Sequence, residues 1–193
     1  EISLGLVGSE MCIRDSPSVF SVDENIWGRS IEAGPLEDPW VEPPSAVFAW
    51  TKEIDATPNI PSYLDIEFRH GLPVAVDGQE LSAISLVEYI NEIAANNGVG
   101  RVDHVENRLV GIKSREIYEA PAALVLHLAH KELERLVLSK DQLRFKEMVG
   151  DQYGNLVYEG KWFTRHRLDL DQYVDSTQVF VTGKVRLRLY KGN

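Results

Sequence analysis

Gly100-Arg101-Val102-Asp103-His104-Val105-Glu106-Asn107-Arg108-Leu109-Val110-Gly111-Ile112-Lys113-Ser114-Arg115-Glu116-Ile117-Tyr118-Glu119-Ala120-Pro121 carries eight charged side chains and a tyrosine, and its apolar residues are too sparse for a plain core strand. Glu106 and Tyr118 share parity, so on one unbroken strand they would face the same way yet stand about 40 Å apart at roughly 3.3 Å per residue. If both touch one small ligand, the chain must reverse between them, and Gly111 to Ser114 is the natural bend. On residue chemistry alone a second reading stands beside this one. Glu106, Arg108, Lys113, Arg115 and Glu116 would then form a salt-bridge ladder on a solvated sheet face.

Downstream, Pro121 suits the first turn of a helix in which Leu124, Val125, Leu128, Leu133 and Leu136 recur at helical spacing. Further helices are expected from Asp141 to about Tyr158 and from Leu168 to about Gln178, the latter with Tyr173 and Val174 inward. Val179 to Tyr190 reads as a closing hairpin around Gly183. Its Lys184, Arg186 and Arg188 form a basic edge that discourages edge-to-edge pairing. Upstream, Ser82 or Ser85 caps a helix to about Asn96, Ser85-x-x-Glu88 has capping-box spacing, and Val87, Ile90, Ile93 and Ala94 form its buried stripe. Before it, Tyr63–Phe68 and Leu72–Val76 read as strands, with Asp77-Gly78 as a two-residue turn. Strands and helices come in separate groups, so the fold class is α+β, mainly antiparallel sheet packed with several helices.

Phe20-Ser21-Val22-Asp23-Glu24-Asn25-Ile26-Trp27-Gly28-Arg29-Ser30-Ile31-Glu32 reads as a loop rich in donors and acceptors. Ser21 and Ser30 flank it; a capped turn with Ser21 or Asp23 as N-cap is the plainer reading. Residues 34–61 hold six of the nine prolines and form an extended strap. Trp40, Phe48 and Trp50 suggest that it is pinned to a core or a neighbouring subunit, rather than being a bare linker.

The 193 residues carry a formal charge of −10, which argues against a nucleic-acid partner. No apolar run reaches the roughly 18 to 20 residues of a membrane span. The single cysteine, Cys12, rules out an internal disulfide and a Cys-rich zinc site. His127, His130 and Glu134 have ligand-compatible helical spacing. With Lys131 alongside and no fourth ligand in view, they read as a solvated face and no metal is assigned. Trp162-Phe163 reads as core or a subunit contact. Residues 1–16, EISLGLVGSEMCIRDS, resemble translated sequencing-library adaptor and are set apart as a non-native leader; a first strand at Ile2–Val7 is the alternative.

The 100–121 segment, with its Val-Glu-Asn-Arg and Ser-Arg-x-Ile-Tyr-Glu motifs, and the upstream Phe20–Glu32 segment both resemble signatures of the argininosuccinate synthase family. The likeness covers about Phe20 to Asn193 and is similar to the C-terminal synthetase and multimerisation half, so residues 17–193 are read as that domain. The resemblance implies an ATP-dependent ligase of arginine biosynthesis and the urea cycle. It also implies a citrulline site of two serines, a glutamate and a tyrosine, which fall on Ser21, Ser30, Glu106 and Tyr118. By charge, Glu106 would accept from an ammonium or from ureido N–H groups, and the three hydroxyls would give short neutral hydrogen bonds.

In the reaction so implied, the ureido oxygen of citrulline attacks the α-phosphorus of ATP and releases pyrophosphate. The amine of aspartate then displaces AMP to give argininosuccinate. The phosphate loop and the Gly-rich aspartate segment of the family do not occur in these residues. ATP with Mg2+ is therefore expected to be held mainly by an N-terminal domain, no catalytic residue is assigned, and the fragment is expected to be inactive alone. A cytoplasmic homotetramer is implied for the intact enzyme. The chain ends at Asn193, ahead of the helix that reaches a neighbouring subunit in the family. The competing reading is a non-catalytic amino-acid-binding or oligomerisation module.

Overall fold

The computed structural model describes residues 19–193, so the readings for residues 1–16 and for the boundary at residue 17 lie outside the described residues. Among the described residues, eight strands form two four-stranded antiparallel sheets, accompanied by four α-helices, which is the α+β class expected. The described chain divides into two compact units, one of residues 19–61, 90–123 and 190–193, the other of residues 62–89 and 124–189. Among the described residues no helix is long and apolar enough to cross a membrane.

The first unit is built on strands β1 (Ser21–Asn25), β2 (Gly28–Glu32), β6 (Arg101–Asn107) and β7 (Lys113–Glu119), in the order β1-β2-β7-β6. Residues 20–32 are thus a β-hairpin, not the capped loop expected. Its turn is closed by the Asn25 side chain, which accepts from the Trp27 N–H at 2.8 Å. Such a local Asx bond gives the reversal at Ile26-Trp27 without proline. The long charged segment does reverse, but over Arg108–Ile112 rather than Gly111–Ser114. The Arg108 N–H donates to Ile112 O and the Gly111 N–H to Arg108 O, each at 2.8 Å. Gly111 takes φ 81° in this turn, the left-handed region where a side chain is disfavoured.

One face of this sheet is apolar at its centre. Ile31 and Ile117, opposed in the β2–β7 register, are fully buried with Leu36 and Val47 of the strap, and Phe48 packs against them. The strap itself is less extended than its prolines suggest, because three short 3-10 turns interrupt it at Gly34–Glu37, Ser45–Val47 and Ile54–Ala56. Polar side chains of the sheet pin it. The buried carboxylate of Glu119 accepts from the N–H groups of Ala49, Trp50 and Thr51 at 2.8–3.0 Å and from the Thr51 hydroxyl at 2.7 Å. Arg115 donates to the carbonyls of Asp38 and Val41. Arg101 lies 3.7 Å over the Phe48 ring and donates to Thr51. Trp40 takes no part in this and is 94% exposed.

The second unit carries β3 (Ser62–Arg69), β4 (Leu72–Val76), β5 (Gln79–Glu80) and β8 (Gly183–Leu189), in the order β5-β4-β3-β8. Leu64, Ile66 and Phe68 alternate into its core as period 2 requires. The C-terminal segment is a single strand on β3, not the hairpin expected, since Val179–Thr182 is irregular and buries Val181. Its basic residues meet the partner strand: Arg186 chelates Asp65 at 2.6 and 2.7 Å and Lys184 reaches Glu67 at 2.6 Å. Both pairs are cross-strand neighbours in register.

The helices are α1 (Ala83–Asn96), α2 (Pro121–Val137), α3 (Lys140–Tyr158) and α4 (Arg165–Gln178). Ser82 caps α1, accepting from the Ser85 N–H at 3.2 Å, which leaves the expected box at Ser85 inside the helix. In α2 the leucine stripe is split. Val125, Leu126, Ala129 and Leu133 are buried, whereas Leu124, Leu128 and Leu136 are exposed. Small Ala122 and Ala129 form part of the inner side and leave the longer leucines outward. Ser139 and Gln142 form a reciprocal capping box at the start of α3. Phe163 is 93% exposed, so it is not core, and Trp162 lies on the surface under the Arg167 guanidinium at 4.4 Å.

Candidate functional site

Antiparallel partners point to the same side of a sheet, and so do residues two apart on a strand. Register therefore decides which side chains can share a ligand. Ser30 of β2 stands opposite Tyr118 of β7, and opposite Asp23 of β1 on its other side. Ser21, two residues before Asp23, faces the same way, and its partner is Glu32. On β6, Glu106 opposes Ser114 and His104 opposes Glu116, both on the Tyr118 face of β7. Ser21, Ser30, Glu106 and Tyr118 thus fall on one face of one sheet, opposite to the face that carries Ile31 and Ile117. Glu106 and Tyr118 are about four residues apart along the strand direction, roughly 13 Å instead of 40 Å.

The four residues are not equally placed. Ser21 is exposed, while Ser30, Glu106 and Tyr118 are half-buried. The Ser30 hydroxyl points back to the Asp23 carbonyl at 3.5 Å. Between Glu106 and Tyr118 lies His104, whose ring centroid is 5.4 Å from that of Tyr118 and whose Nε2 is 3.9 Å from a Glu106 oxygen. The phenol is pushed up to about 12 by burial and by the negative charge of Glu106 and Glu116, so it is a neutral hydroxyl at ordinary pH.

A charged cluster lies on the same face. The Arg108 guanidinium donates to Ser114 Oγ at 2.9 Å, to Glu116 at 2.5 Å and to Glu32, and stands 3.9 Å from Glu106. Glu116 is buried, and burial together with the facing Glu32 carboxyl pushes its pKa up to about 7, against the pull of Ser114 and Arg108. Three carboxylates meeting one guanidinium hold that arginine above its usual value despite partial desolvation. The arrangement can therefore place a carboxylate, Glu106, beside neutral hydroxyls, with the partly protonated carboxyl of Glu116 near by.

The ladder reading is divided by the sheet. Arg108 and Glu116 sit on the Tyr118 face, whereas Arg115 forms a two-bond pair with Asp103 on the other, at 2.9 and 2.7 Å. Glu32, His104 and Ser114 were not singled out by sequence reasoning. Their signal was i, i+2 spacing to Ser30, Glu106 and Glu116, usable only once register is known. Among the described residues no group of three or more His, Cys, Asp or Glu could hold a metal ion. The helical set is solvated only in part: His127 is exposed, whereas His130 meets Gln178 at 2.9 Å and the buried Glu134 accepts from Lys146 at 2.5 Å.

A family model described as "Arginosuccinate synthase C-terminal domain" matches residues 20–193. The chain belongs to the argininosuccinate synthase family. It is 60% identical over 174 residues to an argininosuccinate synthase of Dehalococcoides mccartyi strain 195, covering 90% of this chain and 43% of that protein. The argininosuccinate synthase of Chlorobaculum tepidum is 55% identical over 174 residues, with the same coverage. That of Rubrobacter xylanophilus is 56% identical over 180 residues, or 93% of this chain and 44% of the relative. The chain thus spans less than half the length of these argininosuccinate synthases, and the matched part contains both sheets and the whole Ser21–Tyr118 face.

Proposed function

We propose that this chain supplies the citrulline-binding part of an argininosuccinate synthase, a cytoplasmic, homotetrameric ligase of arginine biosynthesis. The observation that carries this reading is the common face of Ser21, Ser30, Glu106 and Tyr118, four residues on four strands from two separate stretches of sequence. A zwitterion with a neutral ureido group needs a carboxylate for its ammonium or N–H groups and uncharged donors elsewhere. This face offers both. In the whole enzyme, ATP with Mg2+ and aspartate are the other substrates, with the phosphates held mainly outside these residues. The part played here is orientation. The chain presents the ureido oxygen for attack on the α-phosphorus and then the activated carbon to the aspartate amine. Holding reactants in line is where much of such a rate enhancement originates.

The test is calorimetric titration of the 193-residue chain with L-citrulline, beside Glu106→Ala and Ser30→Ala. Binding that weakens at least about tenfold in Glu106→Ala, in keeping with loss of a charge-assisted contact, supports the assignment. Unchanged binding in both variants removes the pocket from this face.

A further inference from the structure

His104 directly precedes the Val-Glu-Asn-Arg motif and is given no role by the family likeness, yet it is the side chain standing between the two strand residues assigned to the ligand. It faces Glu116 across the β6–β7 pair, its ring leans on Tyr118 at 5.4 Å and 56°, and its Nε2 is 3.9 Å from Glu106 Oε2. Its side chain is about half exposed (47%), so protons reach it freely. Glu106 has a second cation at equal distance, Arg108, but that guanidinium is already committed to Ser114, Glu116 and Glu32. A mobile positive charge on His104 is therefore the one that can redirect Glu106.

We propose that His104 is a positioning residue for the ligand carboxylate Glu106: neutral, it braces Tyr118 and leaves Glu106 open, and protonated, it pairs with Glu106 and competes with the bound amino acid. This rests on the citrulline reading above. An imidazolium beside Glu106 acts twice in the same direction, by occupying the carboxylate and by repelling an incoming ammonium. Imidazoles are the side chains that ordinarily change charge between about pH 5 and 8. The other charged groups facing His104 are Glu116 and, further across the sheet, Glu32, with Arg108 beside them. Asp103 and Arg115 pair with each other on the opposite face. Glu116 titrates in the same window and also lowers affinity for a cation when protonated. The pH profile of the parent chain alone does not separate the two; the difference from a His104 variant does.

Two variants and two readouts test this on the 193-residue chain. His104→Phe keeps a ring against Tyr118 without a charge, and His104→Gln removes both ring and charge. The first readout needs no ligand: the Glu106 carboxyl carbon is followed by NMR from about pH 5 to 8. A step coincident with the His104 imidazole titration, absent in both variants, supports the proposal, and no such step in the parent overturns it. The second is citrulline affinity at about pH 7.5 and 5.5. The parent is expected to weaken about three- to tenfold more than either variant. Binding with the same pH dependence in all three chains overturns this proposal and leaves the citrulline reading standing. Absence of citrulline binding by the parent at every pH overturns both.

Discussion

Ser30 and Tyr118 are directly opposed in the antiparallel β2–β7 pair, although 88 positions separate them in the chain (118 minus 30). Side chains so opposed have Cβ atoms about 4.5–5.5 Å apart, near enough to hold one polar group between them. With burial and the Glu106 and Glu116 charges keeping the phenol protonated up to about pH 12, Tyr118 is a hydrogen-bond donor throughout the physiological range. Tyr118→Phe is expected to weaken citrulline about 3- to 30-fold, the loss of one hydrogen bond, with little change in unfolding free energy. Calorimetry beside chemical denaturation separates the two effects.

Glu116 makes the stability of this sheet depend on pH in an unusual direction. Its folded pKa is raised from 4.5 to about 7, so the folded state holds a proton that the unfolded state has released. The stabilisation is complete below about pH 4.5 and is lost as pH rises through about 7. Glu116→Gln should flatten this slope. Arg108 and solvent at the sheet surface screen the effect, so the expected difference is about 1 kcal/mol between pH 5 and 8. Urea denaturation at the two pH values, parent against variant, measures it.

Glu119 has the opposite sign. Burial alone would raise its carboxyl, but the Thr51 hydroxyl and the N–H groups of Ala49, Thr51 and Trp50 outweigh it and hold the group below the usual range. Its contribution is present above the unfolded carboxylate pKa and disappears as pH falls through the lower folded value. Glu119→Gln replaces an ionised acceptor by an amide with one oxygen and takes the negative charge from beside Arg29, 3.2 Å away. A loss of about 2–4 kcal/mol is expected. Hydrogen exchange should show Ala49, Trp50 and Thr51 losing protection first, since the strap is released there.

Gly100 is the last residue of the link between α1 and β6, at φ 131°, and a Cβ on it would sit 2.7 Å from the Pro121 backbone. Neither the left-handed conformation nor a backbone contact that short can relax cheaply. Gly100→Ala is expected to cost more than about 2 kcal/mol, read as a fall in thermal midpoint of the purified chain.

Much of this architecture was legible because period and punctuation agree. Leu64, Ile66 and Phe68 alternate, Asp77-Gly78 turns, and Pro121 opens a helix, each for local reasons that context did not override. The errors arose where a neighbour decides the outcome. The 20–32 segment has too few apolar residues to announce strands, and pairing of β2 with β7 makes it a hairpin. Leu124, Leu128 and Leu136 have helical spacing but lie outside the face that Ala129 and Leu133 bury. For the candidate site, Ser21, Ser30, Glu106 and Tyr118 came from motif likeness, and a shared face required a reversal that the sequence could only suggest. His104 and Glu32 remained invisible because membership of a face is a property of register, which spans strands remote in sequence.

The central claim is that one face of the β1-β2-β7-β6 sheet binds citrulline. The most direct measurement is a two-dimensional 1H–15N spectrum of the 193-residue chain titrated with L-citrulline. The expected result is saturable shifts concentrated on Ser21, Ser30, Glu106 and Tyr118, with the strap residues Ala49 to Thr51 behind the sheet unmoved. Shifts confined to the other sheet, or none at saturating citrulline, would contradict the account.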